Sequence, residues 1–315
     1  MPSAAELLLE PDFLRRLERL SLVSRRLVRS GVRGERRSVT LGRGVEFADY
    51  RSYQVGDDYR YIDWNIYSRL DRLFVKLFSE EEDINVHLLV DRSRSMGFPR
   101  GTGAPSADGR AVAGTTAPVP AKLDYAVRVA AALGYIGLVN LDRVGVAAFD
   151  SRIGPVLAPG RGRSHVFHLF RFLGRLAPEG PSDLAAAMRE YVHRTRRRGL
   201  AVLLSDLLLP EGLEEGLRLL RYHQFDLFVV HIVSDEDLAP PETGELRLVD
   251  SETGRAVEVT VDGPTLAAYA RARDRYLAEV EACCRRHQIE YLRATTSVPF
   301  DDLILRYLRM GGLIA

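Results

Sequence analysis

The sequence is poor in cysteine: of 315 residues only Cys283 and Cys284 are cysteines, and they are adjacent. Neighbouring cysteines cannot cross-link distant parts of a chain, and no Cys/His pattern of a zinc site surrounds them. The sequence therefore predicts neither a disulfide-stabilised fold nor a cysteine-based metal site.

Long apolar runs and an excess of one charge are also missing. No segment has the length of a transmembrane helix, and the N-terminus carries Glu6 and Glu10 where a signal peptide would be basic and then apolar. These absences favour a cytoplasmic protein without a membrane span. Basic and acidic residues nearly balance, 44 against 43, so the overall charge gives no reason to expect a nucleic-acid partner.

A phosphate-binding loop is absent too. The glycines of Gly101-Thr102-Gly103 are not followed by the Gly-Lys-Ser/Thr of a P-loop. Hydrolysis of ATP by this chain alone is therefore not expected.

The stretch from Asn85 to Gly97 is the most informative part of the sequence. An apolar run ends at Asp91 and is followed by Ser93 and Ser95, an Asp-x-Ser-x-Ser loop. The run is typical of a strand buried on both faces, and the loop offers one carboxylate and two hydroxyls at alternate positions. Such hard oxygen ligands suit Mg²⁺, or Mn²⁺ in its place, although Asp and Ser are also ordinary loop formers.

Strands and helices alternate after residue 84, which predicts an α/β fold with a mainly parallel sheet and helices on both faces. We divide the sequence into a helical segment (1–33, with a helix over 11–29), a segment of short strands (34–83) and the α/β domain (84–315). Within that domain, residues 98–120 are rich in Gly, Ala, Pro, Ser and Thr and predict a flexible loop close to the Asp91 site. Residues 244–262 predict a β-hairpin insertion.

Three loops of this α/β domain carry oxygen ligands. Asp91 and Asp206 each follow an apolar strand, and Ser182 precedes the helix that leads into the Asp206 strand. Ligands bind at the carboxyl ends of the strands in open α/β sheets. We therefore expect Asp91, Ser93, Ser95, Ser182 and Asp206 to lie together at one sheet edge as a metal site.

This order of residues resembles the metal-ion-dependent adhesion site of von Willebrand factor type A domains. The resemblance implies a Rossmann-like type A fold, in which Asp91, Ser93 and Ser95 match the first motif, Ser182 the threonine position and Asp206 the second aspartate. It also implies a bound Mg²⁺ with one position left for a carboxylate of a partner protein. Serine at position 182 departs from the family pattern but keeps the hydroxyl.

The preceding segment resembles the signature of the bacterial domain-of-unknown-function-58 family, which carries this type A domain. The matching stretches include Glu46-Phe47, Arg51-x-Tyr53, Gly56-Asp57-Asp58-x-Arg60-x-Ile62-Asp63-Trp64 and Val75-Lys76. The resemblance implies a partnership with a MoxR-type AAA+ ATPase in chaperone-like assembly or activation of other proteins.

The residues of Gly56 to Trp64 leave two alternatives open. Asp57, Arg60 and Asp63 could form buried ion pairs with Trp64 as an anchor, or the segment could form a partner-docking surface. Asp63 is also a candidate N-cap of a short helix that runs to Arg69.

Taken together, these features predict a non-enzymatic, metal-dependent protein-interaction module that accepts an Asp or Glu of a partner. One alternative is a metal-dependent hydrolase of a phosphoester, although no histidine falls in the three loops to act as a general base. Another is a scaffold whose metal site is degenerate.

Overall fold

The computed structural model describes residues 11–22, 37–41, 46–81, 84–98, 121–209, 211–239, 243–308 and 313–314. The strands are β1 (Arg37–Leu41), β2 (Glu46–Ser52), β3 (Phe74–Glu81), β4 (Asn85–Asp91), β5 (Arg143–Phe149), β6 (Ile153–Gly160), β7 (Leu200–Ser205), β8 (Asp226–Val233), β9 (Gly244–Val249), β10 (Ala256–Val261) and β11 (Glu290–Thr295). The helices are α1 (Pro11–Leu17), α2 (Trp64–Leu70), α3 (Lys122–Val139), α4 (Arg163–Leu173), α5 (Leu184–Arg194), α6 (Leu213–Tyr222), α7 (Asp235–Leu238), α8 (Gly263–Arg286) and α9 (Phe300–Asp302), which a π-helical turn (Leu303–Tyr307) continues.

The chain divides into two compact units, one formed by residues 24–83 and the other by residues 1–23 with 84–315. The smaller unit holds an antiparallel sheet in the order β1-β3-β2. Helix α2 lies in the connection between β2 and β3. Asp63 caps α2, as its sequence predicts, because its carboxylate accepts hydrogen bonds from the N–H groups of Asn65 and Ile66.

The ion pairs expected in the smaller unit are present in part. Asp57 pairs with Arg51, Arg60 pairs with its neighbour Asp58, and Asp63 pairs with Lys76 at 3.0 Å. Asp57 and Asp63 thus pair with residues of the sheet strands β2 and β3, as this alternative predicts, whereas the pair of Arg60 is exposed. Trp64 is also not a buried anchor, since 59% of it is exposed. The part of the prediction that fails is therefore the burial of Trp64 and of the Arg60 pair.

The larger unit contains a six-stranded sheet in the order β11-β8-β7-β4-β5-β6. All neighbouring strands are parallel except β5 and β6, which are antiparallel. The prediction of a mainly parallel sheet between helices is thus confirmed. From β4 the chain moves first to one side, to β5 and β6, and then returns to β7 on the other side. This reversal places a topological switch point at the carboxyl ends of β4 and β7.

Both faces of the sheet are covered, which explains why the central strands are apolar throughout rather than alternating. On one face, Leu89 and Leu203 pack into a core with residues of α5, α6 and α8. On the other face, Leu88 lies below Gly134 of α3 and Leu169 of α4. A side chain at Gly134 would collide with Leu169, so this glycine lets the two helices approach closely.

The N-terminal helix is shorter than predicted. We expected a helix over residues 11–29, but α1 ends at Leu17, and Leu22 forms an antiparallel bridge with Ile314. The carbonyl of Leu20 accepts a hydrogen bond from the Asn140 side chain at 2.9 Å. Backbone groups of Leu20 and Leu22 are therefore engaged by distant residues and not by the next turn of a longer helix. The rest of this predicted helix and nearly all of the predicted loop 98–120 lie outside the described residues.

The hairpin predicted over 244–262 is present, as the antiparallel pair β9 and β10. No helix in the described part of the chain combines the length and apolarity needed to cross a membrane.

Candidate metal centre

The Asp91 carboxylate is fully buried at the end of β4 and is held by two hydrogen bonds. Its Oδ1 accepts from the Ser93 N–H at 2.8 Å, and its Oδ2 accepts from the Ser205 hydroxyl at 2.6 Å. Ser205 ends the neighbouring strand β7, and its Oγ in turn accepts from the Leu207 N–H at 2.9 Å. The ends of β4 and β7 are therefore joined through this carboxylate.

The two hydroxyls of the Asp-x-Ser-x-Ser loop lie side by side. Ser93 Oγ and Ser95 Oγ are 3.0 Å apart, and both residues are buried. A short 3₁₀ turn (Arg94–Gly97) follows Ser93 and turns both hydroxyls to the same side. The loop is anchored to the one before α5, since Arg94 N–H donates to Gly180 O and Glu179 N–H donates to Arg92 O.

Asp206 follows β7 and is 99% buried beside an ammonium group that the sequence did not reveal. Lys122 Nζ lies 2.8 Å from Asp206 Oδ2 and 3.0 Å from Asp237 Oδ2, and only 1% of Lys122 is exposed. The other oxygen, Asp206 Oδ1, accepts from the Leu208 N–H at 3.2 Å. Lys122 thus fixes the position of the Asp206 carboxylate through its Oδ2.

The backbone after Asp206 turns sharply. Leu207 has a φ of 52°, in the left-handed region that a leucine rarely adopts. The Tyr276 hydroxyl donates to its carbonyl, and the Ser205 hydroxyl accepts from its N–H. His231 Nε2 donates to the Asp206 carbonyl at 2.8 Å. The surrounding residues therefore hold a strained turn that orients the Asp206 side chain.

Ser182 and Glu252 complete the same edge. The Ser182 N–H donates to Glu252 Oε2 at 3.1 Å, and Glu252 belongs to the turn between β9 and β10. Burial raises the pKa of Glu252, the Ser182 N–H partly offsets this, and the charge of Asp206 raises it further. The carboxylates of Glu252 and Asp206 are thus close enough to repel each other.

The side chains present fit a hard divalent cation. Ser182 Oγ and Glu252 Oε1 are buried and have no hydrogen-bond partner, which is costly for polar atoms unless a cation or water reaches them. Burial first, and then the charge of Asp206, raise the pKa of Asp91. One ammonium group cannot neutralise Asp206 and Asp237 together with Asp91 and Glu252. Carboxylate and hydroxyl oxygens in such an acidic cluster are suitable ligands for Mg²⁺ or Mn²⁺.

Comparison with known proteins agrees with the family resemblance. Residues 49–279 match the family described as "Protein of unknown function DUF58", which covers well over half of the chain. The chain belongs to this family.

Relatives of this DUF58 protein occur in mycobacteria. The uncharacterized proteins Mb1516 of Mycobacterium bovis and Rv1480 of Mycobacterium tuberculosis are each 26% identical to it over 311 residues, which cover 96% of this chain and 92% of theirs. Among solved structures, the conserved hypothetical protein BatB from Bacteroides thetaiotaomicron is similar at 13% identity and a TM-score of 0.40, over 72% of this chain and 98% of that one.

All five residues predicted to bind the metal come to the same edge of the DUF58 protein's sheet, and metal binding by them stays a prediction. Sequence reasoning missed Lys122, Asp237 and Glu252. Lys122 begins α3, and Asp237 lies in α7, a helix of four residues that no apolar periodicity announces. Glu252 lies within the hairpin predicted over 244–262, and the sequence pattern of a hairpin does not indicate a ligand. No local pattern signals these residues, because their proximity arises from the tertiary fold.

A second group of possible ligands, Glu214, Cys283 and His287, lies on a different part of the unit. The sequence pattern around the cysteines did not predict it. However, Glu214 Oε1 also pairs with Arg286 at 3.1 Å and with His287 at 2.9 Å. The guanidinium of Arg286 already compensates this carboxylate, so the group is better described as a surface ion-pair cluster.

Proposed function

We propose that this DUF58 protein is a non-enzymatic, cytoplasmic interaction module of the von Willebrand factor type A class. Asp91, Ser93, Ser95, Ser182 and Asp206 would hold Mg²⁺, or Mn²⁺, which supplies a positive charge that a partner's Asp or Glu can bind. The observation that carries the proposal is the meeting of three hydroxyl- and carboxylate-bearing loops at the switch point of a parallel sheet.

The residues of the chain divide the work of such a site. Ser93 and Ser95 present adjacent hydroxyls, and Ser205 holds Asp91 in place. Lys122 positions Asp206 and offsets part of the negative charge. A neutral residue of the partner would leave the charge of the cation undercompensated, so recognition of a carboxylate follows from electrostatics.

The environment of His231, the histidine that contacts Asp206 among the described residues, supports a role without catalysis. His231, which contacts the Asp206 carbonyl, is 1% exposed, and burial lowers its pKa to about 4. A histidine that is enclosed and engaged at both nitrogens, by Asp206 and by the Tyr291 hydroxyl, is poorly placed to activate water in the cleft. We expect no Mg²⁺-dependent hydrolysis of p-nitrophenyl phosphate, and turnover that disappeared in Asp91→Asn would favour the hydrolase alternative.

The partner is proposed to be a MoxR-type AAA+ ATPase or a client protein of that ATPase. The test is binding of the purified chain to a MoxR-type ATPase from the same genome, measured in Mg²⁺ and in EDTA. We expect binding in Mg²⁺ that is lost in EDTA and in Ser93→Ala, and retained in Ser164→Ala, an exposed serine on α4. Equal binding in EDTA would refute the metal dependence, and no binding in either would refute the choice of partner.

A further inference from the structure

The hairpin of β9 and β10 reaches the candidate metal centre through one side chain. Its strands pair with each other and with no strand of the six-stranded sheet, and most of their residues are exposed. A lone two-stranded hairpin gains little stability by itself, so its position depends on the contacts that its turn makes.

The turn has a well-defined structure that presents Glu252. Asp250 Oδ1 accepts from the N–H groups of Glu252 and Thr253, at 2.8 and 3.2 Å, and Asp250 Oδ2 accepts from the Thr253 hydroxyl at 2.7 Å. Gly254 has a φ of 71°, which completes the reversal and favours glycine. Hydrogen bonds within the turn therefore fix the position of Glu252 at the tip of the hairpin.

Two contacts fasten this tip to the loops of the site. Glu252 Oε2 accepts from the Ser182 N–H at 3.1 Å, and the Glu252 carbonyl accepts from Arg94 Nη1 at 3.0 Å. Arg94 lies between Ser93 and Ser95, so both contacts are made by residues within or beside the candidate ligand set. The remaining carboxylate oxygen, Oε1, is buried and has no hydrogen-bond partner.

A buried carboxylate oxygen without a hydrogen-bond partner is unfavourable unless a cation compensates it, because the carboxylate has lost its hydration there. Glu252 also lies outside the three loops predicted to bind the metal, yet its carboxylate reaches the side chain of Ser95, one of the predicted ligands. We propose that Glu252 is the chain's own carboxylate ligand for the metal and competes with the carboxylate of a partner.

This assignment rests on the proposed function and adds a control of access to it. With Glu252 in place, the protein fills the ligand position with its own hairpin, and a partner must displace the hairpin tip before it can bind. Displacement breaks the contacts of Glu252 with Ser182 and Arg94 but leaves the six-stranded sheet intact, because β9 and β10 do not pair with it.

The test counts the water molecules on a bound Mn²⁺ by water-proton relaxation in the parent, in Glu252→Gln and in Glu245→Gln. Glu245 is exposed on the same hairpin and serves as the matched control. We expect Glu252→Gln to bind Mn²⁺ at least about tenfold more weakly and to show about one additional water, while Glu245→Gln behaves as the parent. Addition of acetate should then displace that water in Glu252→Gln and have little effect on the parent.

The other outcomes separate this proposal from the one on which it rests. Mn²⁺ binding with the same water count in the parent and in Glu252→Gln would refute the ligand role of Glu252 and leave the metal site standing. Weaker Mn²⁺ binding without an additional water would mean that Glu252 acts on the metal only through its charge, and would also refute its ligand role. Absence of Mn²⁺ binding in the parent would refute both proposals. Glutamine can keep the hydrogen bond to Ser182 and removes the repulsion with Asp206, so in EDTA Glu252→Gln should be at least as stable as the parent. Glu245→Gln should unfold as the parent does.

Discussion

Lys122 is the residue on which the electrostatics of the site depend most. Its ammonium group lies between Asp206 and Asp237 with 1% of the residue exposed. Burial alone lowers the pKa of Lys122, but the charges of Asp206 and Asp237 outweigh it and raise the pKa above its ordinary value. Lys122 is therefore charged in the folded protein at neutral pH.

Replacement Lys122→Met should be strongly destabilising, because it leaves two carboxylates in the interior without their cation. Removal of one partner from a buried ion pair typically costs about 3–5 kcal/mol. We expect a loss of that order in the free energy of unfolding, measured with urea in EDTA. Addition of Mg²⁺ should recover more stability in this variant than in the parent, since the ion then supplies the missing positive charge.

The chain contains one other lysine, Lys76, which provides the matched control. Its pair with Asp63 is partly open to water, with 39% of the Lys76 side chain exposed. Lys76→Met should therefore have a much smaller effect. Equal unfolding curves for Lys122→Met and Lys76→Met would contradict the structural role given to Lys122.

At the scale of elements, the junction of β4 and β7 determines whether Asp91 and Asp206 meet. The two strands are parallel and in register from the Val86–Leu200 pair to the Val90–Leu204 pair. Gly199 lies immediately before β7, and a Cβ added there would be 2.0 Å from the carbonyl oxygen of Asn85. A backbone atom cannot yield as a flexible side chain can, so this position admits only glycine without a shift of one strand.

Gly199→Ala is expected to destabilise the protein by about 1–3 kcal/mol, as overpacking does elsewhere. The control is Gly263→Ala, at the first position of α8, where an added Cβ would meet no atom within 4 Å. This second change should be neutral or slightly stabilising. Thermal unfolding of both variants distinguishes them, and similar melting temperatures would show that the junction is more tolerant than the structure indicates.

Much of the element pattern could be predicted from the sequence, and the reasons are local. The apolar runs that end at Asp91 and Ser205 require burial on both faces, and α2 starts at Trp64 because the side chain of Asp63 caps it. The end of α1 at Leu17 could not be predicted, since the apolar spacing continues and only the bridge of Leu22 to Ile314 opposes it. Lys122 and Glu252 were missed for the same reason, as their partners are distant in sequence.

For the whole molecule, a buried histidine predicts sensitivity to acid. His87 lies in β4 with its Nδ1 2.7 Å from the Tyr191 hydroxyl, and Phe225 packs edge-on against the ring. Burial, with a smaller contribution from the charge of Arg198, lowers its pKa to about 4. The unfolded chain takes up this proton near pH 6.5, whereas the folded protein does so only near pH 4. Stability is therefore fully present above pH 6.5 and falls as the pH decreases toward 4.

The expected loss from this group is about 2 kcal/mol between pH 7.5 and pH 5. His87→Gln has no titrating ring and can still form a hydrogen bond with Tyr191. Between pH 7.5 and pH 5 its free energy of unfolding should therefore decrease by about 2 kcal/mol less than that of the parent. Urea unfolding at the two pH values measures the difference. Equal losses of stability in the parent and in His87→Gln would contradict the claim that the folded protein keeps His87 neutral.

The central claim is that the edge formed by β4 and β7 binds a divalent cation, and calorimetric titration of Mg²⁺ tests it most directly. The experiment compares the parent with Asp91→Asn, with folding of both checked by circular dichroism. The account predicts one ion per parent molecule and at least about tenfold weaker binding in Asp91→Asn, because a charged and fully buried oxygen ligand is lost. Failure of the parent to bind Mg²⁺ or Mn²⁺, or equal binding by Asp91→Asn, would contradict it.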